Sequence, residues 1–270
     1  MTKIIMLQTD IHFANPEKNY ENVDNLFRKA MKENPETDLI LLPEDWNSGF
    51  SDKMFHEIDK HAEDVNGPSL TFLRNLAKEF KVWVVAGSLS IKHEDGLFRN
   101  TTYLINRDGE IVGDYSKMHL YNDMDENVAF ENGSKTEVYD TEFEKLGFMI
   151  CYDIRFPELA RTYALKGADA LIVVSDFPEP RLDHWKTLLK ARAIENQMYV
   201  VACNRVGDSP MGTYFGHSLI IDPWGEIISE GTKEQEIITG EADFKETENV
   251  RNLIHVFDHR QPQFYGEVVK

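Results

Sequence analysis

The sequence predicts an α/β protein whose two similar halves pack face to face as a four-layer α-β-β-α sandwich. Short β-rich runs alternate with longer amphipathic stretches along all 270 residues, which is typical of sheets covered by helices. The two halves also contain the same succession of apolar runs and turns. Each half is therefore expected to place its helices on one face of a sheet. No linker separates the halves, and we therefore expect a single domain of residues 1–270.

Turn signals and apolar runs define the elements. Residues 39–42 form an apolar run that ends at Pro43, as expected for a strand buried on both faces. Asp108-Gly109 between two apolar runs predicts a hairpin, and Pro157 suits the first position of a helix. In order, the predicted elements are strand 3–8, helix 19–32, strand 38–42, helix 69–80, strand 82–86, hairpin strands 101–106 and 110–115, strand 146–150, helix 157–166, strand 170–174, helix 184–196, strand 199–203 and hairpin strands 218–222 and 226–229.

The repeat is visible in local sequence as well as in element order. Each half has an apolar run that leads into an acidic residue, Glu44 in the first half and Asp176 in the second. Both hairpin turns are followed by Gly-Glu-Ile. The tail after Phe244 has no clear period, and we expect it to be either an arm that docks on another subunit or a loosely attached end.

The composition narrows the possible functions. The chain carries 47 acidic and 29 basic side chains, giving a net charge of −18, and 41% of its residues are hydrophobic. This apolar content is typical of a folded globular protein, but no apolar run approaches the roughly 18 residues needed to span a bilayer. Nucleic-acid binding needs a basic surface. We therefore expect neither a membrane nor a nucleic-acid partner.

The two cysteines, Cys151 and Cys203, are too few for a disulfide framework. The N-terminus also lacks a stretch long enough for a secretory signal, so we predict a cytoplasmic protein with reduced thiols. Cys203 lies inside an apolar run and is expected in the core. Cys151 follows strand 146–150 and precedes a helix, where backbone N–H groups and the helix N-terminus favour a thiolate nucleophile; a small buried core residue is the alternative.

Two charged residues also follow predicted strands. Glu44 comes after a buried strand, at an edge where α/β sheets place their sites, and partial burial would raise its pKa toward that of a general base. Lys117 follows the second hairpin strand and would stabilise both a thiolate and an oxyanion. Taken singly, each could equally be a solvated surface residue. Together with Cys151 they predict one catalytic cleft.

The segments that carry these residues resemble the three signatures of the nitrilase, or carbon–nitrogen hydrolase, superfamily. They read Leu-Leu-Pro-Glu at 41–44, Tyr-Ser-Lys-Met-His-Leu at 115–120 and Gly-Phe-Met-Ile-Cys-Tyr-Asp-Ile-Arg-Phe-Pro-Glu at 147–158. The resemblance covers nearly the whole chain, including residues 190–196 and the Gly-His-Ser at Gly216. It implies the α-β-β-α sandwich of carbon–nitrogen hydrolases, a homodimer or larger assembly, and no metal or organic cofactor.

The resemblance also implies catalytic roles. Cys151 attacks the carbonyl carbon of an amide and forms a thioester, while Glu44 moves the protons and then activates water. Lys117 and the backbone N–H of Tyr152 hold the oxyanion. A second acidic residue after the lysine fixes substrate and base; Glu126 fits this place best, and Asp125 is its neighbouring rival.

Within the superfamily, Lys-x-His-Leu and Cys-Tyr-Asp-Ile-Arg-Phe-Pro-Glu look most like the ω-amidase branch, which hydrolyses the terminal amide of short dicarboxylic monoamides such as 2-oxoglutaramate. That substrate needs a cationic anchor, for which Arg181 is a candidate, and Tyr121 and Phe130 are candidates to line the pocket. One alternative is an amidohydrolase of N-carbamoyl amino acids or β-ureido acids. Others are a catalytically silent binding protein and a redox-sensing thiol at Cys151.

Overall fold

The computed structural model describes residues 1–265, without the side chain of residue 52. The strands are β1 (Thr2–Gln8), β2 (Leu39–Leu41), β3 (Trp83–Val85), β4 (Leu89–Lys92), β5 (Phe98–Ile105), β6 (Ile111–Ser116), β7 (Tyr139–Thr141), β8 (Glu144–Ile150), β9 (Ala170–Ser175), β10 (Tyr199–Asn204), β11 (Val206–Ser209), β12 (Gly212–Phe215), β13 (Leu219–Ile221), β14 (Ile227–Glu230) and β15 (Glu236–Ala242). The helices are α1 (Pro16–Glu33), α2 (Asp52–His56), α3 (Pro68–Phe80), α4 (Glu126–Ala129), α5 (Pro157–Leu165), α6 (Leu182–Asn196), α7 (Glu246–Leu253) and α8 (Pro262–Tyr265), with 3-10 turns at Ile58–Lys60, Asn122–Met124 and Cys151–Arg155.

Two sheets form the centre of the fold, and they share a topology. The first has the order β15-β1-β2-β3-β5-β4, with β6 beside β5, and the second has the order β14-β13-β10-β9-β8-β7. In each, parallel strands (β1-β2-β3 and β8-β9-β10) are followed by an antiparallel hairpin (β5-β6 and β13-β14). The predicted internal repeat is therefore confirmed as a repeat of topology.

Side-chain alternation in β1 shows how the layers stack. Ile5 and Leu7 belong to a core that β1 shares with α1 and α3, whereas Ile4 and Met6 belong to the core that contains the second sheet. On the other side of the second sheet, α6 packs against β10 and β13. The order is thus helices, sheet, sheet, helices, and the predicted four-layer sandwich is confirmed. Cys203 lies between the sheets, completely buried, with Sγ 3.6 Å from the carbonyl oxygen of Leu7, so its predicted core position is confirmed.

Local sequence explains why α1 begins where it does. The side chain of Asn15 accepts a hydrogen bond from the backbone N–H of Lys18 (3.2 Å), and Pro16 occupies the first helical position, where its missing N–H costs nothing. Val23 and Phe27 then lie one turn apart on the buried face.

Sequence reasoning missed several short or edge elements and left two possibilities for the tail. Strand β15 pairs with β1 along its whole length, and β4, β7, β11, β12 and α2 were also not predicted. Helix α7 is not loosely attached, because Thr247 Oγ1 donates to the carbonyl oxygen of Asp169 (3.1 Å) and Gln197 Nε2 donates to that of Val250 (3.2 Å). The other expectation, that the tail docks on another subunit, stays a prediction. Among residues 1–265, no helix has the length and apolar content to cross a membrane.

Candidate active site

The predicted site residues meet at the carboxyl ends of strands from both sheets. Cys151 directly follows β8, Lys117 directly follows β6, and Glu44 lies three residues after the end of β2. The carboxyl ends of parallel strands meet at one edge of a sheet, and face-to-face packing brings the edges of the two sheets together. One pocket is lined by Glu44, Lys117, Cys151 and Glu126.

The ammonium group of Lys117 and the carboxylates of Glu44 and Glu126 form the floor of this pocket. Lys117 Nζ lies 3.1 Å from Glu44 Oε1 and 2.8 Å from Glu126 Oε1. All three side chains are buried: the exposed fraction is 3% for Lys117, 1% for Glu44 and 4% for Glu126. Burial removes the screening by water, so these ion pairs fix the geometry far more firmly than surface pairs would.

Asn100, on β5, holds the same cluster from a third side. Its Nδ2 donates to Glu44 Oε1 (2.8 Å) and to Glu126 Oε1 (3.4 Å), and its carbonyl oxygen accepts from the backbone N–H of Lys117 (2.8 Å). Sequence reasoning missed this residue. The available signal was a polar side chain directly before the predicted strand 101–106, because a buried polar side chain must find a partner.

Cys151 is the first residue of a tight turn. Its φ of +46° lies in the left-handed region that non-glycine residues seldom adopt. Asp153 holds this turn, because its Oδ2 accepts from the backbone N–H of Ile150 (2.9 Å) and the hydroxyl of Tyr115 (2.7 Å), while Oδ1 accepts from the backbone N–H of His119 (3.0 Å). The turn presents the sulfur to the pocket.

The electrostatics favour a protonated thiol in the resting site. Burial, reinforced by the nearby Glu44 charge, raises the pKa of Cys151 well above its usual value, although Lys117 and the neighbouring polar groups of Ser175 and Asp176 act in the opposite direction. The expectation that a helix N-terminus favours the thiolate is therefore not met, because desolvation outweighs the short 3-10 turn that follows the cysteine.

The two partners of the thiol have shifted pKa values as well. Burial raises the pKa of Glu44, and Lys117 and the thiol of Cys151 oppose this increase. Burial by itself would lower the pKa of Lys117, but the charges of Glu126 and Glu44 outweigh it, and the net pKa lies well above the usual lysine value. The site thus pairs a permanent cation with a carboxylate that can exchange a proton with the thiol.

The structure separates the two rival acidic residues. Glu126 is buried on the lysine, and its Oε2 accepts from the backbone N–H of Tyr121 (2.6 Å). Asp125 is exposed, with a φ of +57°. It lies on the turn that leads into α4 and is not among the residues that line the pocket.

The pocket walls are largely aromatic, with two arginines among them. Tyr121, Tyr152 and Arg181 line the pocket, and Arg181 Nη2 lies 3.3 Å from the hydroxyl of Tyr121. Arg155, which sequence reasoning did not single out, lines it as well; its place four residues after the cysteine in the same turn was the available signal. Phe130 lies outside the lining and packs behind it, against two lining phenylalanines, Phe50 and Phe55. Of the two possibilities for Phe130, pocket lining and core packing, the structure therefore supports core packing.

Within the described residues there is no group of three or more histidine, cysteine, aspartate or glutamate side chains arranged to hold a metal ion. The lysine ammonium is the cation at the centre of the site. Tyr152, whose backbone N–H is predicted to hold the oxyanion, directly follows Cys151 and lines the same pocket.

Comparisons with known proteins agree with this geometry. Residues 3–252 match the family model described as carbon–nitrogen hydrolase. The chain is 38% identical over 262 residues to a 2-oxoglutaramate amidase of Bacillus subtilis, covering 97% of this chain and 98% of the relative. It is also 33% identical over 282 residues to the omega-amidase NIT3 of Saccharomyces cerevisiae, covering 98% and 96%.

Solved structures give the same result. The crystal structure of Saccharomyces cerevisiae Nit3, described as a member of branch 10 of the nitrilase superfamily, matches with a TM-score of 0.88 at 33% identity, covering 97% of each chain. A carbon–nitrogen hydrolase from Helicobacter pylori G27 matches with a TM-score of 0.90 at 30% identity, covering 100% of this chain and 98% of the other. The resemblance seen in the sequence is confirmed: this chain belongs to the carbon–nitrogen hydrolase family of the nitrilase superfamily.

Proposed function

We propose that this enzyme is an ω-amidase-like amidohydrolase that cleaves the terminal amide of short dicarboxylic monoamides, such as 2-oxoglutaramate, and releases ammonia. The observation that carries the proposal is a buried glutamate and lysine beside a partly buried cysteine, in a pocket whose walls hold two arginines. The similarity to a 2-oxoglutaramate amidase and to an omega-amidase supports this substrate class.

In the first half of the reaction, Glu44 accepts the proton of the Cys151 thiol and the sulfur attacks the amide carbon. The oxyanion that forms is held by the Lys117 ammonium and the backbone N–H of Tyr152. When the tetrahedral intermediate collapses, the C–N bond breaks and Glu44 donates its proton to the departing nitrogen. Ammonia leaves, and the acyl group stays on the sulfur as a thioester.

In the second half, Glu44 takes a proton from a water molecule that attacks the thioester carbon. The C–S bond breaks, the proton returns to the sulfur, and the dicarboxylic acid is released. Glu126 acts throughout by holding Lys117 in place, because its Oε1 lies 2.8 Å from Nζ. Lys117 stays charged in both halves, which suits an electrostatic role rather than proton transfer.

The far carboxylate of the substrate requires a cation, and Arg155 and Arg181 supply two. The Arg155 guanidinium lies over the rings of Phe177 (5.3 Å) and Tyr152 (5.9 Å), and within residues 1–265 it forms no salt bridge with a carboxylate. Its charge is therefore free to pair with a ligand. The anchor that we propose consists of both arginines, with Tyr121 orienting Arg181 through its hydroxyl.

The test of the function is ammonia release across a panel of short ω-amides, N-carbamoyl amino acids, β-ureido acids and nitriles. The proposal expects the highest kcat/KM for an ω-amide that carries a carboxylate. Carbamoyl substrates would release CO₂ together with ammonia, so product analysis separates this alternative. A preference for carbamoyl acids or nitriles over every ω-amide would overturn the assignment.

Replacing Arg155 with glutamine is expected to raise KM for a carboxylate-bearing ω-amide by about 10- to 100-fold, since a hydrogen-bonded charge pair is lost. Arg181→Gln should act in the same direction. Steady-state kinetics on 2-oxoglutaramate measures the change, and a neutral short amide without the carboxylate serves as the control substrate. An equal loss on both substrates would contradict the role as an anchor.

We also propose that the enzyme acts as a single domain of residues 1–270, as a homodimer, and in the cytoplasm. Both cysteines are free thiols, as is usual in reducing compartments.

Helices α5 and α6 and the C-terminal segment adjoin one another, since Arg161 Nη2 donates to the carbonyl oxygen of Glu195 and Gln197 Nε2 donates to that of Ile254. The apolar side chains exposed on these elements are Leu165, Ile194, Leu253, Ile254 and Phe264. A second copy of the chain is the partner that we expect to cover them.

The variant Ile194→Asp is expected to convert the dimer into monomers, because it would place a charge in a desolvated apolar contact. Ile194 is 51% exposed in the single chain, so the folded monomer should tolerate the change. Light scattering coupled to size exclusion measures the mass. Val112→Asp, at an exposed position on β6 (41%), is the matched control and should leave the mass unchanged. A wild-type mass of about 31 kDa would contradict the dimer.

A further inference from the structure

Asp176 is a carboxylate beside the reacting atoms for which the mechanism above has no use. Its side chain is only 4% exposed, yet it lines the same pocket as Cys151 and Glu44. Its backbone N–H donates to Glu44 Oε2 (2.8 Å) and also helps to lower the pKa of Cys151 against the effect of burial. The residue therefore adjoins both the nucleophile and the general base.

The other two carboxylates in the pocket are already engaged as acceptors. Glu44 receives hydrogen bonds from Asn100, Lys117 and the backbone of Asp176. Glu126 receives them from Lys117 and the backbone N–H of Tyr121. By contrast, Oδ1 of Asp176 is buried against Arg205 and accepts no hydrogen bond within residues 1–265, although a buried acceptor of this kind normally has a partner. Since Asp176 lines the pocket and its Oδ1 faces Arg205, the acceptor available to a ligand in the pocket is Oδ2.

Arg205 keeps this carboxylate in place from behind. Arg205 is completely buried, its guanidinium lies 4.3 Å from the centre of the Tyr214 ring, and Nη2 donates to the carbonyl oxygen of Ile11 (3.2 Å). Its Nε lies 3.4 Å from Oδ1 of Asp176, so the arginine attracts the carboxylate electrostatically without closing a hydrogen bond. A rigid cation on one side and the pocket on the other define how Asp176 is oriented.

We propose that Asp176 is a specificity-determining residue that selects primary amides by accepting a hydrogen bond from an N–H of the substrate amide. This inference rests on the proposed function and deepens it. A primary amide carries two N–H bonds on the nitrogen that leaves, whereas an ester carries none. The buried acceptor would stay unpaired against an ester, which is how polar sites discriminate between such substrates.

The contact becomes stronger as the reaction proceeds. When the tetrahedral intermediate collapses, the C–N bond breaks, its electron pair passes to nitrogen, and Glu44 donates the proton that makes ammonia. The nitrogen gains positive character at this stage, so an N–H···carboxylate contact stabilises the transition state more than the ground state. Burial raises the pKa of Asp176 to about 7, against the effect of Arg205, and both the ionised and the neutral carboxyl group keep an acceptor oxygen.

The experiment uses Asp176→Asn, which keeps the size of the side chain. Because Arg205 is a donor, the amide oxygen of the new side chain should face it, which leaves an NH₂ group toward the substrate nitrogen. We expect kcat/KM for the primary ω-amide to fall about 10- to 100-fold, while kcat/KM for the methyl ester of the same acyl group stays within about twofold. Both substrates form the same thioester, so the ratio reports the leaving group alone.

A second variant, Asp176→Ser, keeps the test usable if the asparagine variant folds poorly, and thermal melts show which variants are folded. An equal fall on amide and ester would overturn the inference and leave Asp176 as a structural counter-ion of Arg205. Unchanged amide kinetics would overturn it as well. A wild-type enzyme that hydrolyses neither substrate would overturn the proposed function itself, and the inference with it.

Discussion

Replacing Cys151 with alanine is expected to abolish amide hydrolysis, with a loss on the order of 10⁶ in kcat, as removal of a nucleophile can cause. Without the sulfur there is no thioester, and water would have to attack the amide directly. The fold should survive, because only one atom is removed beside an open pocket. Ammonia release measures the activity, and mass spectrometry of wild-type enzyme quenched during turnover should show the acyl group on the peptide that contains Cys151.

The second cysteine provides the matched control. Cys203 is fully buried between the two sheets, so Cys203→Ala removes the same atom from the core instead of from the pocket. We expect it to retain most of the activity and to lose about 1 kcal/mol of stability. Wild-type activity in Cys151→Ala, against every amide that the parent hydrolyses, would rule out the thioester mechanism.

Strand ends explain why the three central site residues could be found from sequence. Glu44, Lys117 and Cys151 each follow an apolar run that could be recognised as a strand, and polar residues at such positions converge at one edge of a sheet. Their order along the chain, together with the motif around Cys151, was also specific enough to identify the family. The burial and the distances of the cluster then follow from the packing of two sheets, which the internal repeat predicted.

Features that depend on three-dimensional packing could not be predicted from the sequence in this way. Asn100 lies in the middle of a strand, and nothing in its local pattern shows that it contacts Glu44 and Glu126. The upward shift in the pKa of Cys151 was missed because desolvation depends on how deeply the fold buries the sulfur. Strand β15 was missed because its long-range pairing with β1, rather than a strong alternation of its own, stabilises it.

Replacing Glu44 with glutamine is expected to lower kcat by about 10⁴-fold or more, at the upper end of general acid–base effects, since one carboxyl group serves both half-reactions. The neutral amide cannot accept the proton of a thiol whose pKa lies well above its usual value. In the wild type, burial raises the pKa of Glu44. As the pH falls, Glu44 becomes protonated and can no longer act as the base, so kcat/KM declines. The midpoint of this acid limb should lie above the ordinary glutamate pKa of about 4.3. A pH profile of kcat/KM should show this limb in the wild type and lose it in the variant.

The choice of leaving group separates the two proton transfers assigned to Glu44. A p-nitrophenyl ester of the same acid needs no proton on its leaving group. On that ester Glu44→Gln should regain part of its acylation rate, while deacylation stays slow. The expected time course is a burst of nitrophenol followed by a low steady-state rate. Glu131→Gln, at an exposed position, is the control and should match wild type on both substrates. If Glu44→Gln kept more than a tenth of wild-type amide activity, Glu44 could not be the general base. The role would then pass to Glu126, the other buried carboxylate that contacts Lys117.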